Sequence, residues 1–241
     1  VKKVTGEEKV YHFLPTAAKN GEEMITAWVS NSSNEYFGQN SQNTISCTVA
    51  KDSGESEQIT VAENRNTVIE LAVGALNGTR TIAWVEDGDC SRMTTDDRIL
   101  YMQCGDAQIK EVQKGAVSGI KFVNGTADLN GLAFSLNGNI GVISGEEGKV
   151  SWLLEETQAA VGNQWCLSAD GIYYTAMDAN GNSSIYVISY ENGSWSRPVM
   201  LTDQNHQIMD VSAAQVNGET VLVFMQNDAT ITEEEFTTVC N

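Results

Sequence analysis

The sequence predicts an all-β fold: a five-bladed β-propeller with four antiparallel strands in each blade. Three observations carry that prediction. Hairpin-turn dipeptides recur at nearly even spacing, each is flanked by apolar strand-like runs, and helical periodicity is almost absent. The chain has 241 residues but only 2 prolines, as a strand-rich chain requires.

The turns come first. Asn-Gly and Asp-Gly favour type I′ hairpins because both central residues need positive φ. They occur at Asn20-Gly21, Asn77-Gly78, Asn124-Gly125, Asp170-Gly171 and Asn217-Gly218. An apolar strand follows each, such as Thr81-Ile82-Ala83-Trp84-Val85, and another precedes it, such as Thr67-Val68-Ile69-Glu70-Leu71-Ala72-Val73. Third strands are expected at 44–50, 99–104, 140–144, 184–190 and 236–240, and fourth strands at 58–62, 108–112, 149–154 and 195–201. Four antiparallel strands every ~40–50 residues make a propeller blade.

The fifth repeat reaches only its third strand before the chain ends at Asn241. Val1-Lys2-Lys3-Val4-Thr5-Gly6 is similar to the fourth strand that starts Ile109-Lys110-Glu111-Val112. The N-terminal strand is therefore expected to complete the last blade, which removes an open edge. Residues 1–241 are then a single propeller domain; the alternative is a segment of a longer propeller cut at a blade boundary.

Composition excludes several partners. Fourteen basic against 32 acidic residues give a net charge of −18, which repels nucleic acid and anionic membranes. No apolar run approaches the ~20 residues of a membrane helix, so no membrane insertion is expected. The opening Val1-Lys2-Lys3-Val4 is neither an initiator Met nor a signal peptide, so a mature or excised segment is expected, as a monomer or as part of a larger chain. Five cysteines and two histidines, with no Cys-x-x-Cys pair, do not form a zinc pattern. Cys90 and Cys104 fall at opposite ends of one hairpin and are expected not to be bonded to each other. Asp178-Ala179-Asn180-Gly181-Asn182 has the oxygen spacing of half a calcium loop, without the closing acid. No metal and no cofactor is expected.

In the fourth repeat, Ser184-Ile185-Tyr186-Val187 and then Asn192-Gly193-Ser194-Trp195-Ser196-Arg197-Pro198-Val199 resemble the sialidase-like (BNR-type) repeat of secreted bacterial propellers. The Asp-box of that family, Ser-x-Asp-x-Gly-x-Thr-Trp, is absent; Ser168-Ala169-Asp170-Gly171 keeps part of it. The resemblance implies the propeller fold and an extracellular or cell-surface location.

Function is expected on loops. Connections between second and third strands are long in blades one, two and five, at 31–43, 88–97 and 227–235, and the other end of each blade is closed by tight turns. Tyr36-Phe37 is an adjacent aromatic pair in the first of these loops, suited to stacking on a sugar or anchoring a protein. His12 and Trp165 are the further candidate ligand contacts. Seven residues before the turns lie Phe13, Glu70, Val117, Asn163 and Asp210 on the innermost strands. Glu70 and Asp210 are the candidate acid and base if the domain is an enzyme, since glycoside hydrolysis needs a pair of carboxylates. Sialidase chemistry needs clustered arginines for a carboxylate, and only Arg65, Arg80, Arg92, Arg98 and Arg197 exist. The expected function is a non-catalytic extracellular module that binds a glycan or protein ligand. A glycosidase and a structural spacer of a larger surface protein are the alternatives.

Overall fold

The computed structural model describes residues 10–32, 42–91, 94–124, 130–145, 147–155, 160–161, 164–177, 181–202 and 207–227. All regular elements among them are strands, in antiparallel sheets. The chain divides into two compact units, Val1–Glu155 and Glu156–Asn241.

The first unit holds three sheets of four strands, each sheet in sequence order. The first comprises β1 (Tyr11–Asn20), β2 (Glu23–Asn31), β3 (Asn43–Lys51) and β4 (Ser56–Arg65). The second comprises β5 (Val68–Leu76), β6 (Thr79–Glu86), β7 (Ile99–Cys104) and β8 (Lys110–Lys114). The third comprises β9 (Val117–Asn124), β10 (Asn130–Leu136), β11 (Asn139–Ile143) and β12 (Val150–Trp152).

The sheets stack because alternate side chains of a strand point to opposite faces. Ile82 and Trp84 of β6 join Ile25, Ala27, Val29, Ile45 and Cys47 of the first sheet. Ala83 and Val85, one residue out of phase, join Leu132, Phe134 and Ile143 of the third. Each of the larger aliphatic and aromatic side chains among them contributes ~1.5–3 kcal/mol on burial. Trp84 donates Nε1–H to Glu86 Oε1 at 2.6 Å and stacks on Tyr101 at 5.7 Å. Glu86, 2 % exposed, is neutralised by Arg65.

The second unit pairs β13 (Trp165–Ser168), β14 (Gly171–Met177) and β15 (Ser183–Glu191), with β16 (Ser194–Trp195) and β17 (Val199–Met200) both on the edge of β15. Its remaining sheet is a hairpin, β18 (Gln207–Val216) and β19 (Glu219–Asn227). Cys166, Tyr173, Ile185 and Val187 pack against Ile208 and Val211.

The expected strands that fall on the described residues are present, with local differences. Asn77-Gly78 and Asn217-Gly218 take positive φ at both residues, the I′ geometry. In the first hairpin Asn20 ends β1, so the two-residue turn is Gly21-Glu22 and only Gly21 has positive φ. The fourth-repeat turn is likewise Ala169-Asp170, with Gly171 opening β14. In the third repeat an I′ turn at Asn137-Gly138 joins the second and third strands, and the expected turn at Asn124-Gly125 runs into residues outside those described. The two-residue gap between Leu136 and Asn139 is one that only residues tolerant of positive φ can bridge. The fourth strand of the fourth repeat splits into β16 and β17 around Pro198, which has no N–H for the ladder. The expected third strand at 236–240 and closing strand at 1–5 lie outside the described residues. Cys90 carries a free thiol and is not bonded to Cys104, as the strand assignment requires.

Candidate functional site

β2 and β3 separate at the end of the first sheet where the 31–43 connection begins. The same end receives the start of β1 and the finish of β4. A cleft with a volume of about 470 Å³ opens there over one face of that sheet. His12, Trp28, Ser30, Thr44, Ser46, Gln58 and Thr60 line it, one or two from each strand. The pairing explains why they share a face: His12 lies opposite Ser30, Ser30 opposite Thr44, Trp28 opposite Ser46 and Ser46 opposite Thr60. The opposite face of these strands carries Ile25, Ala27, Val29, Ile45 and Cys47 into the core. Period-two alternation thus leaves hydroxyls and amides on the cleft side.

Polar groups are ordered at its rim. Asn31, 2 % exposed, donates Nδ2–H to Asn43 Oδ1 at 2.9 Å, and Asn43 donates to the Asn66 carbonyl at 2.9 Å. This network ties β2, β3 and the link to β5 together beneath the cleft mouth. His12 is exposed and meets Trp28 edge-on, with ring centroids 6.4 Å apart. Trp28 is itself 5 % exposed, so the polar tip of the pair belongs to His12.

The expected site residues fall in different places. His12 lines the cleft. Tyr36 and Phe37 lie outside the described residues, but their segment leaves from Ser32 and returns at Gln42, both of which line the cleft. Trp165 is 5 % exposed in β13, opposite Tyr174 in the other unit, and does not line the cleft. Asn163 is outside the described residues.

Glu70 and Asp210 occupy matching positions on β5 and β18, each at a register shift against the neighbouring strand. Their chemistry differs. Glu70 Oε1 accepts the Gly119 N–H and Oε2 the Ile120 N–H, both at 2.9 Å. A carboxylate engaged through both oxygens ties β5 to β9. Asp210 is exposed and, among the described residues, accepts the N–H of its own neighbour, Val211, at 2.8 Å. The described arginines of the first unit are also committed. Arg65 pairs with Glu86, Arg80 with Asp106, and Arg98 donates to the Val117 carbonyl.

A side-chain cluster missed by the motif search is Asp87, Asp89 and Asp97, in the β6–β7 connection. Its signal was the Asp-Gly-Asp that follows β6 and the Asp-Asp that precedes β7. The spacing matches no standard metal motif, and the loop itself brings the two ends together.

No known protein family matches the chain in sequence, and no curated protein matches it. Its fold does have known counterparts. It is similar to the β-propeller domain of the Trilobed protease from Pyrococcus furiosus, a domain described as having an open velcro topology. That likeness has a TM-score of 0.51 at 10% identity, over 95% of this chain and 66% of that one. It is similar also to a family 117 glycoside hydrolase from the marine bacterium Zobellia galactanivorans, with TM-score 0.48 at 7% identity over 80% of this chain and 70% of that one. A Trypanosoma rangeli sialidase matches with TM-score 0.46 at 11% identity, over 88% of this chain and 43% of that one. The first likeness shows the class of fold, an all-β fold of the β-propeller type built of antiparallel sheets, three of them four-stranded.

Proposed function

We propose that this domain is a non-catalytic, extracellular binding module that takes a glycan in the cleft over the first sheet. The observation that carries the reading is the lining of that cleft: hydroxyls and amides from four adjacent strands, with the His12–Trp28 ring pair among them. Sugars present many hydroxyls and an apolar ring face. A rigid surface that alternates donors and acceptors beside an aromatic ring complements them. The bonding of Glu70 supports binding over hydrolysis. Both of its oxygens are engaged by backbone N–H groups, which commits the carboxylate to joining two sheets rather than to a substrate. In this proposal the domain has five blades, the fifth completed by strands at 236–240 and 1–5. The net charge of −18 suits a soluble surface domain.

A glycan array followed by calorimetric titration of a hit tests the reading. His12→Ala and Gln58→Ala should each weaken binding by about threefold to tenfold, the loss of a hydrogen bond of ~0.5–1.5 kcal/mol. Retained binding in both variants would place the ligand elsewhere. A protein ligand whose affinity responds to the same substitutions would replace the glycan. Polysaccharide hydrolysis abolished by Asp210→Asn or Glu70→Gln would make the domain an enzyme and end the binding-module reading.

A further inference from the structure

We infer that the β6–β7 connection of the second sheet is a calcium site built from Asp87, Asp89 and Asp97. One carboxylate oxygen from each lies within 4.8 Å of the others. Such a span lets all three reach one ion at the ~2.3–2.6 Å typical of calcium–oxygen bonds.

Clustering alone would not identify a ligand, because acids crowd many surfaces. The second observation is burial without a partner. Asp87 is 3 % exposed and its Oδ1 accepts no hydrogen bond. Both carboxylate oxygens of Asp97 are also buried and unpartnered. Buried anionic oxygens are normally paired, hydrogen-bonded or bound to metal. None of the three acids forms an ion pair among the described residues. Arg98, next in sequence to Asp97, instead directs Nη1 to the Val117 carbonyl at 3.3 Å. A divalent cation would satisfy all of these oxygens together.

The loop is shaped around the cluster. Asp89 Oδ1 accepts the Ser91 N–H at 2.7 Å and Oδ2 accepts the Thr94 hydroxyl at 2.9 Å. Each oxygen keeps a lone pair for a cation. A Cβ at Gly88 would stand 2.6 Å from the Asp97 carbonyl oxygen and 2.8 Å from its Oδ2. A side chain there would therefore push Asp97 away from Asp87. An all-oxygen ligand set suits a hard cation. Three carboxylates on a loop, completed by waters, suit calcium better than magnesium, which demands near-ideal octahedral geometry.

Calorimetric titration of the chelator-stripped full chain tests this. One saturable calcium site is expected, with a Kd of roughly 0.1–1 mM, the range of extracellular calcium modules. Calcium should raise the melting temperature. Asp97→Asn should weaken binding at least tenfold and Asp89→Asn severalfold, while Glu147→Gln on another loop leaves it unchanged. Asp89 is exposed, so its variant stays informative even if Asp97→Asn folds poorly. Absence of saturable binding up to about 10 mM, well above that range, would overturn the site. So would unchanged affinity in folded Asp89→Asn and Asp97→Asn. Equal affinity for magnesium would overturn the choice of calcium.

Discussion

The second sheet and the last hairpin begin alike and end differently. Each opens with a strand that carries an acid at a register shift, Glu70 or Asp210, and turns through Asn-Gly. In β6 both faces are covered, and Ile82, Ala83, Trp84 and Val85 are all buried. In β19 Val223 is 67 % exposed and Met225 55 % exposed. The hairpin signal is thus equally strong in both, and burial is not. A turn and two apolar strands make a ladder. Only a sheet on each side makes a core.

The largest effects should come from testing that contrast directly. Trp84→Ala should cost about 3–5 kcal/mol, the usual range for removing a buried aromatic, and urea denaturation will read it. If strands at 236–240 and 1–5 complete the fifth blade as proposed and a neighbouring sheet then covers its face, Val223→Asp should cost about 2 kcal/mol, the penalty of burying an unpaired polar group. An unchanged denaturation midpoint for Val223→Asp would leave the hairpin two-stranded and end the closure proposal.

The two acids sharpen the comparison. Glu70→Gln keeps the size but loses the charge that receives two N–H donors, and should cost about 1.5–3 kcal/mol. Asp210→Asn should change stability by less than about 0.5 kcal/mol, as surface substitutions do. Equal costs would mean that Asp210 has a partner in solution equivalent to the backbone of β9.

A further effect should come from alkali. Burial pushes Tyr173 and Tyr174 up to about 12, with the Asp170 hydrogen bond adding to the first and Tyr186 to the second. Their folded values lie above the unfolded value near 10. Their contribution is therefore intact below pH 10 and is lost as the pH climbs towards 12. Each should cost roughly 1 kcal/mol by pH 11. Phe at both positions should remove that loss in denaturation curves taken at pH 9 and pH 11. Because Tyr173 packs with Ile208 and Val211, the β18–β19 hairpin should loosen with it.

The repeat was legible because strand alternation and turn dipeptides are local. β7 at Ile99–Cys104 matches its expected span, and the other expected strands differ mainly at their ends. Turn position was less legible. Asn-Gly reports tolerance of positive φ, and in the third repeat two such dipeptides compete, at 124–125 and 137–138. His12 was legible as a ligand candidate only through its type. The cleft that it lines is a property of four strands in register.

Sequence alone therefore determined the strand pattern, the acidic surface and the count of repeated turn signals, since each depends on residues close along the chain. Tertiary structure decided what each polar residue does. Glu70 became a clasp because β9 brought two N–H groups to its carboxylate. Asp87 and Asp97, ten residues apart, became one cluster because β6 and β7 are antiparallel partners and their connection must return to its start. Distances between side chains on separate strands are set by register and by the stacking of sheets, and neither is written in any local run of residues.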